Sequence, residues 1–341
     1  MLNGFKLTSL LFLLATSSVI AQCFAPDFTL PSTACKGQRI SLSADNTYNS
    51  YEWDLCPGEL AGTPTATVLN NNFGGYGFKM ELVEDGGDYY GFFLSRASAK
   101  LYRLDFGTNV NDPPLLFDLG GLGKNSSTWH VIEIVKEGSN FIGFIIDDNA
   151  IYRVNFGTSV NSTPSSVETF YTGDPLNSSI DAVAVQEGND KYLFVANGGN
   201  EKIVRIKFSS SYTEPSSSTT IDTFTVPFTV ISSGLSFIKD CDKWYAISSS
   251  IITASVNKIA FDDLSDPTPT ITQYGVPGAG NVAVVKDNDT FMIFVQSQNS
   301  TNSIFRLPFG SSLAGNPTST DELKNFGYPP GGAGYIRLRH A

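Results

Sequence analysis

The feature that most constrains this chain is a short motif that keeps returning. Leu101-Tyr102-Arg103-Leu104-Asp105-Phe106-Gly107-Thr108 comes back as Ile151-Tyr152-Arg153-Val154-Asn155-Phe156-Gly157-Thr158. Shorter versions follow at Ile203-Val204-Arg205-Ile206-Lys207-Phe208, Val256-Asn257-Lys258-Ile259-Ala260-Phe261 and Ile304-Phe305-Arg306-Leu307-Pro308-Phe309-Gly310. Measured at the phenylalanine, the copies stand 50, 52, 53 and 48 residues apart. A period of this size belongs to repeat architectures, in which one supersecondary unit cannot bury its apolar face alone and stacks on the next.

Each copy divides into four strands. The first is Phe78–Val83, returning at 131–135, 182–185, 235–238 and 282–285, and the second is richer in aromatic and β-branched residues, as in Tyr89–Leu94 and Phe141–Ile146. Acidic, glycine-rich turns such as Glu84-Asp85-Gly86-Gly87-Asp88 join these two, as tight hairpins require. The recurring motif is the third strand. The fourth follows a turn carrying Pro113, Pro164, Pro215, Pro267 or Pro317. Four strands in about 50 residues, with no helical period, predict an all-β fold: a β-propeller of four-stranded blades with five complete repeats. Flanking them, Thr63–Leu69 matches a fourth strand and Gly334–Arg339 a first strand. Because a ring normally joins its ends within one blade, these two pieces predict a split, incomplete sixth blade in a chain that continues beyond Ala341.

The 341 residues thus divide into a signal peptide over 1–21, a short β segment over 22–61 and the propeller over 62–341. Lys6 followed by the apolar run Leu7–Ala15 and by Val19 and Ala21 reads as a secretory leader, too short to span a membrane. The expected location is secreted or cell-surface, with no transmembrane segment after leader removal. Export permits disulfides. Cys23, Cys35 and Cys56 crowd together and are the disulfide candidates, whereas Cys241, alone in a turn of the fourth repeat, is expected to be free. Cys35-Lys36-Gly37 and Tyr51-Glu52-Trp53-Asp54-Leu55 resemble the opening half of a PKD-like module, an immunoglobulin-like sandwich, with Leu55 where that family usually has Phe. Beside L-Y-R-L-D-F-G repeats, such a module is similar to secreted proteins of gliding Bacteroidetes that are sorted by type IX secretion.

The net charge of −11 repels polyanions, and one or two cations per repeat form no cluster, so nucleic-acid binding is excluded. Only His130 and His340 are present, and no nucleophile or zinc motif accompanies them. Asp147-Asp148-Asn149 and Asp287-Asn288-Asp289 read as turns rather than calcium loops. No catalytic residue, cofactor or metal site is therefore predicted. Arg103, Arg153, Arg205, Lys258 and Arg306 are expected to lay their stems over aromatics and pair with a carboxylate of the adjacent blade. On the inner strands Glu81 and Glu133 are candidate ligand contacts within a solvated channel lining, with Ala184, Ser236 and Ala283 in the comparable places elsewhere. Asn197 and Asn200, in a polar loop between second and third strands, are candidates too, since loops on a rigid scaffold carry binding. The function expected is a non-catalytic binding, adhesion or structural interaction module for an extracellular glycan or protein. The alternative is a propeller lyase or hydrolase acting on a polysaccharide or ester at the channel, and convergence of the inner acids separates the two.

Overall fold

The computed structural model describes residues 79–95, 98–122, 130–226, 232–287, 290–297 and 303–323. The chain divides into two compact units, Met1–Asp54 and Leu55–Ala341, and every described residue lies in the second. The expected leader and PKD-like segment, Cys23, Cys35, Cys56 and both pieces assigned to a split sixth blade lie outside the described residues.

Five four-stranded antiparallel sheets form the blades of a β-propeller, each a meander in chain order. Blade one is β1 (Met80–Asp85), β2 (Asp88–Ser95), β3 (Lys100–Gly107) and β4 (Leu115–Gly120). Blade two is β5 (Val131–Glu137), β6 (Asn140–Asp147), β7 (Ala150–Gly157) and β8 (Ser166–Thr172). Blade three is β9 (Ser179–Glu187), β10 (Asp190–Asn197), β11 (Lys202–Phe208) and β12 (Thr220–Thr225). Blade four is β13 (Ser232–Asp240), β14 (Lys243–Ser250), β15 (Ser255–Phe261) and β16 (Thr270–Gly275). Blade five is β17 (Ala279–Asp287), β18 (Thr290–Ser297), β19 (Ile304–Gly310) and β20 (Asp321–Leu323). The first strands pack on one another in sequence, β1 on β5, β5 on β9, β9 on β13 and β13 on β17, which makes them the inner strands.

Residue type dictates this layering. Second strands bury nearly every side chain on both faces, as in β6, where Phe141 through Asp147 are all buried, while fourth strands such as β4 are largely exposed. Between blades two and three, Phe144 meets Phe170, Phe208 and Tyr212 with ring centroids 5.9 to 6.0 Å apart. Each such buried aromatic contributes about 1.5–3 kcal/mol through removal from water. The motif's glycine has a backbone reason: Gly107, Gly157 and Gly310 turn the chain at φ of 65°, 75° and 74°, a region that side chains disfavour.

Polar groups tie each blade to the next. In blades one to four the acid closing the inner strand accepts a backbone N–H from the turn between the third and fourth strands of the following blade. Asp85 takes Val160 N at 3.1 Å, Glu137 takes Tyr212 N at 3.4 Å, Glu187 takes Leu264 N at 3.0 Å and Asp240 takes Leu313 N at 2.8 Å. The third-strand cation holds the same turn by its carbonyls. Arg103 donates to Val160 O at 3.2 Å, Arg153 to Tyr212 O at 3.0 Å, Arg205 to Leu264 O at 2.8 Å and Lys258 to Leu313 O at 2.6 Å. A second carbonyl follows in each turn, from Asn161, Glu214, Asp266 and Gly315.

The expected packing over aromatic rings is seen for Arg103, Arg153 and Lys258, with one correction to the carboxylates. Arg103 lies 4.8 Å from the Phe117 ring centroid, and Lys258 lies 5.1 Å from that of Phe309. The carboxylates, however, belong to the same blade: Asp105 for Arg103, Glu168 for Arg153, Asp222 for Arg205 and Asp321 for Arg306. What crosses between blades is cation to carbonyl, because the turn presents its backbone oxygens at the end of the neighbouring third strand. Cys241 also departs from expectation, being disulfide-bonded rather than free. It stands exposed at the tip of the β13–β14 hairpin with φ of 56°, where another cysteine can reach it, and its partner lies outside the described residues.

Candidate active site at the propeller axis

Strand pairing fixes which inner-strand residues are equivalent. Glu81 is opposite Phe92, Glu133 opposite Phe144, Val183 opposite Phe194, Ser236 opposite Ile247 and Ala283 opposite Phe294. Glu81 and Glu133 thus occupy the same place in neighbouring blades, as expected. In blade three the equivalent is Val183 and not Ala184, a slip of one residue that moves the side chain to the other face of the sheet. Two residues nearer the start of each inner strand stand Lys79, Val131, Asp181, Gly234 and Asn281.

These positions gather the polar chemistry of the axis. Lys79 of blade one reaches past its neighbour to blade three, where its ammonium bonds the Asp181 carboxylate and lies 3.3 Å from Ala182 O. Asp181 also accepts Leu235 N at 2.7 Å from blade four and Ala182 N at 2.7 Å. Burial pushes its carboxyl above the ordinary aspartate range, while Lys79 and the two backbone N–H groups pull the other way. Glu133 accepts Ala184 N at 3.1 Å, so carboxylates of blades two and three each hold an inner strand of the next blade. Ser236 does the same with its hydroxyl, accepting Val284 N at 3.2 Å.

Three acids, Glu81, Glu133 and Asp181, therefore lie on three consecutive inner strands, none more than 2% exposed. The solvated channel lining expected for Glu81 and Glu133 is corrected: both side chains are fully buried. Lys79 and Asp181 were missed in the sequence. Counting back six residues from the acids that end the inner strands would have found them, since that register places a lysine and an aspartate among otherwise uncharged residues.

The loop candidates behave differently. Asn197 is buried and uses its amide on the protein, accepting Ser179 Oγ at 2.8 Å and donating to Pro175 O at 2.9 Å and Asn200 Oδ1 at 3.1 Å. It braces the loop after the cis Asp174–Pro175 bond, and Asn200 takes part in the same brace. His130 is a buried residue just ahead of β5, paired with Asp148 at 2.7 Å. Among the described residues no cluster of three or more His, Cys, Asp or Glu is arranged to hold a metal ion, and no helix is long and apolar enough to cross a membrane.

No family model matches the chain, and no curated protein does. Solved structures do. An exo-β-1,3-galactanase from Phanerochaete chrysosporium with β-1,3-galactotriose matches at 10% identity and TM-score 0.51, over 74% of this chain and 64% of that one. A mutant of AofleA from Arthrobotrys oligospora matches at 12% identity and TM-score 0.51, over 74% of each chain. An α-L-arabinofuranosidase from Clostridium thermocellum matches at 13% identity and TM-score 0.49, over 72% of this chain and 94% of that one. In another galactanase structure the match spans 51% of that chain. At such identities the likeness establishes the propeller fold. The expectation of a non-catalytic binding or adhesion module is overturned by these findings: the propellers it resembles include glycoside hydrolases.

Proposed function

We propose that the chain is a propeller glycoside hydrolase that cleaves a polysaccharide at its axis. The observation that carries this reading is the set of Glu81, Glu133 and Asp181 on three consecutive inner strands, with the Asp181 carboxyl pushed upward by burial. Glycosidic cleavage needs two carboxyl groups whose environments separate their affinities for a proton, one to protonate the leaving oxygen and one to act on the sugar carbon or on water. Asp181 faces an ammonium and two N–H groups, whereas Glu133 takes a backbone N–H from the neighbouring blade. In this reading Asp181 is the proton donor, Glu133 with Glu81 supplies the second carboxylate, and the Lys79 ammonium is the group that an entering sugar displaces. With residues 1–21 read as a secretory leader, the proposed place of action on a glycan is extracellular.

The test is product formation by the purified full chain on β-1,3-galactan, arabinan and arabinoxylan, followed by chromatography of released sugars. Asp181→Asn and Glu133→Gln should each lower the rate by about 10²-fold or more, the size of a lost general acid or base. Thermal unfolding of both variants separates lost chemistry from lost fold. No product from any of the three polysaccharides with wild-type protein, or wild-type rates in both variants, overturns the proposal.

A further inference from the structure

The second and third strands of every blade carry a cross-strand pair at one fixed place. In blade one it is Phe93 opposite Tyr102, stacked with ring centroids 5.3 Å apart. In blades two, three and five it is Ile145 opposite Tyr152, Val195 opposite Val204 and Val295 opposite Phe305. Blade four departs from this apolar rule, with Ser248 on β14 opposite Asn257 on β15. Strand residues two apart share a face. Ala246 and Ile259, two places from Ser248 and Asn257, belong to the apolar cluster that includes Phe194, Ala196 and Ile203 of blade three. The polar pair therefore faces the junction of blades three and four.

Both residues are 0% exposed. Among the described residues, neither the Ser248 hydroxyl nor either polar atom of the Asn257 amide finds a hydrogen-bond partner. Polar groups left bare in an apolar interior are costly, and buried ones are bonded as a rule, to protein or to ordered water. Bulk is also reduced at this level of the junction. Ala196 stands two places beyond Phe194, where blades one and two have Leu94 and Ile146, so small side chains meet here from both blades. Leu235, opposite Ser248 on β13, belongs to the same apolar cluster and stands between this place and the axis.

We infer that the junction of blades three and four encloses a binding site for ordered water, in which at least one molecule bonds the Ser248 hydroxyl and the Asn257 amide. A buried water makes about three hydrogen bonds, and the pair presents a hydroxyl, an amide N–H group and an amide carbonyl to it. Both side chains are uncharged, so the site suits a small neutral ligand that donates and accepts at once. It lies apart from the axial acids and does not depend on the glycosidase reading.

Oxygen-17 relaxation dispersion of the full chain, which counts water molecules held for longer than the protein takes to tumble, tests this. Ser248→Ala combined with Asn257→Leu keeps the shape of the pair and removes its hydrogen bonding, and an apolar site stays dry. The count should fall by at least one from its wild-type value. An unchanged count in the folded double variant overturns the inference. Should that variant fail to fold, a crystal structure of the wild-type chain decides. A water within about 3.2 Å of both Ser248 Oγ and the Asn257 amide carries the inference. An Asn257 amide bonded to protein groups alone, or to nothing, overturns it.

Discussion

The two ends of the propeller are built on opposite rules. Where the inner strands finish, Asp85, Glu137, Glu187 and Asp240 all hold a turn of the following blade, and a cation answers each from the third strand. Where the inner strands start, one register holds Lys79, Val131, Asp181, Gly234 and Asn281, no two alike. Repetition marks residues that serve the fold, since every junction has the same problem to solve. A position that differs in each blade is released from that duty, and there the charged residues cross from blade one to blade three.

The sharpest way to break this contrast is to remove one partner of the cross-axis pair. Asp181→Ala leaves the Lys79 ammonium buried beside Ala182 O and should cost about 3–5 kcal/mol in denaturant unfolding, the range for an orphaned buried charge. Adding Lys79→Met should recover most of that loss, because the uncompensated charge is the larger part of the penalty. A cost under about 1 kcal/mol for Asp181→Ala would mean that the pair contributes no more than a surface ion pair does.

At the repeating end the loss should be smaller and the same from blade to blade. Arg205→Ala removes two charge-assisted bonds to Leu264 O and Asp266 O, both 2.8 Å, and should cost about 2–3 kcal/mol. Arg153→Ala should fall close to it. A large difference between the two would show that the clamps are not equivalent, and the contrast between the ends would weaken.

The repeat made the blades legible because packing between sheets demands the same residue types in every copy, so phenylalanine, glycine and the third-strand cation recur at fixed places. It also explains what was hidden. Glu81 and Glu133 were visible as a repeated pair, but Ala184 was taken for Val183 because a short apolar strand carries no internal mark of register. Asp181 and Lys79 stood at a place with no repeated type, and nothing in the sequence says that residues about 100 positions apart meet across an axis, since long-range pairing is fixed only by ring geometry. Asn197 looked like a binding residue because exposed loops are rich in asparagine, yet its amide fastens its own loop.

A third probe acts on the non-repeating end through the backbone. A Cβ on Gly234 would meet Val282 N at 2.7 Å and Asn281 Cα at 2.9 Å, and neither is a flexible side chain that can move aside. Gly234→Ala should therefore cost about 1–2 kcal/mol as blades four and five are pushed apart. Full stability in this variant would show that the inner strands have slack at the axis.

The smallest expected effect belongs to the clamped end and appears only as a pH dependence. Glu214, in the turn that Arg153 holds, accepts bonds from the backbone N–H and hydroxyl groups of Ser209 and Ser210 and from Ser211 N. Those serine donors bring its pKa down from 4.5 to about 2. A carboxylate whose pKa is depressed by folding contributes stability above its unfolded value, and that contribution is lost as the pH falls through its folded value. Wild-type stability should therefore drop as the pH is lowered from 4.5 to about 2, and Glu214→Gln should flatten this part of the curve while leaving the slope above pH 4.5 unchanged. Urea unfolding of both proteins at several acidic pH values gives the comparison. Identical slopes would mean that the serine turn does not hold the carboxylate in solution, and blade three's share of the repeated device would then reduce to Arg153 and Glu137 alone.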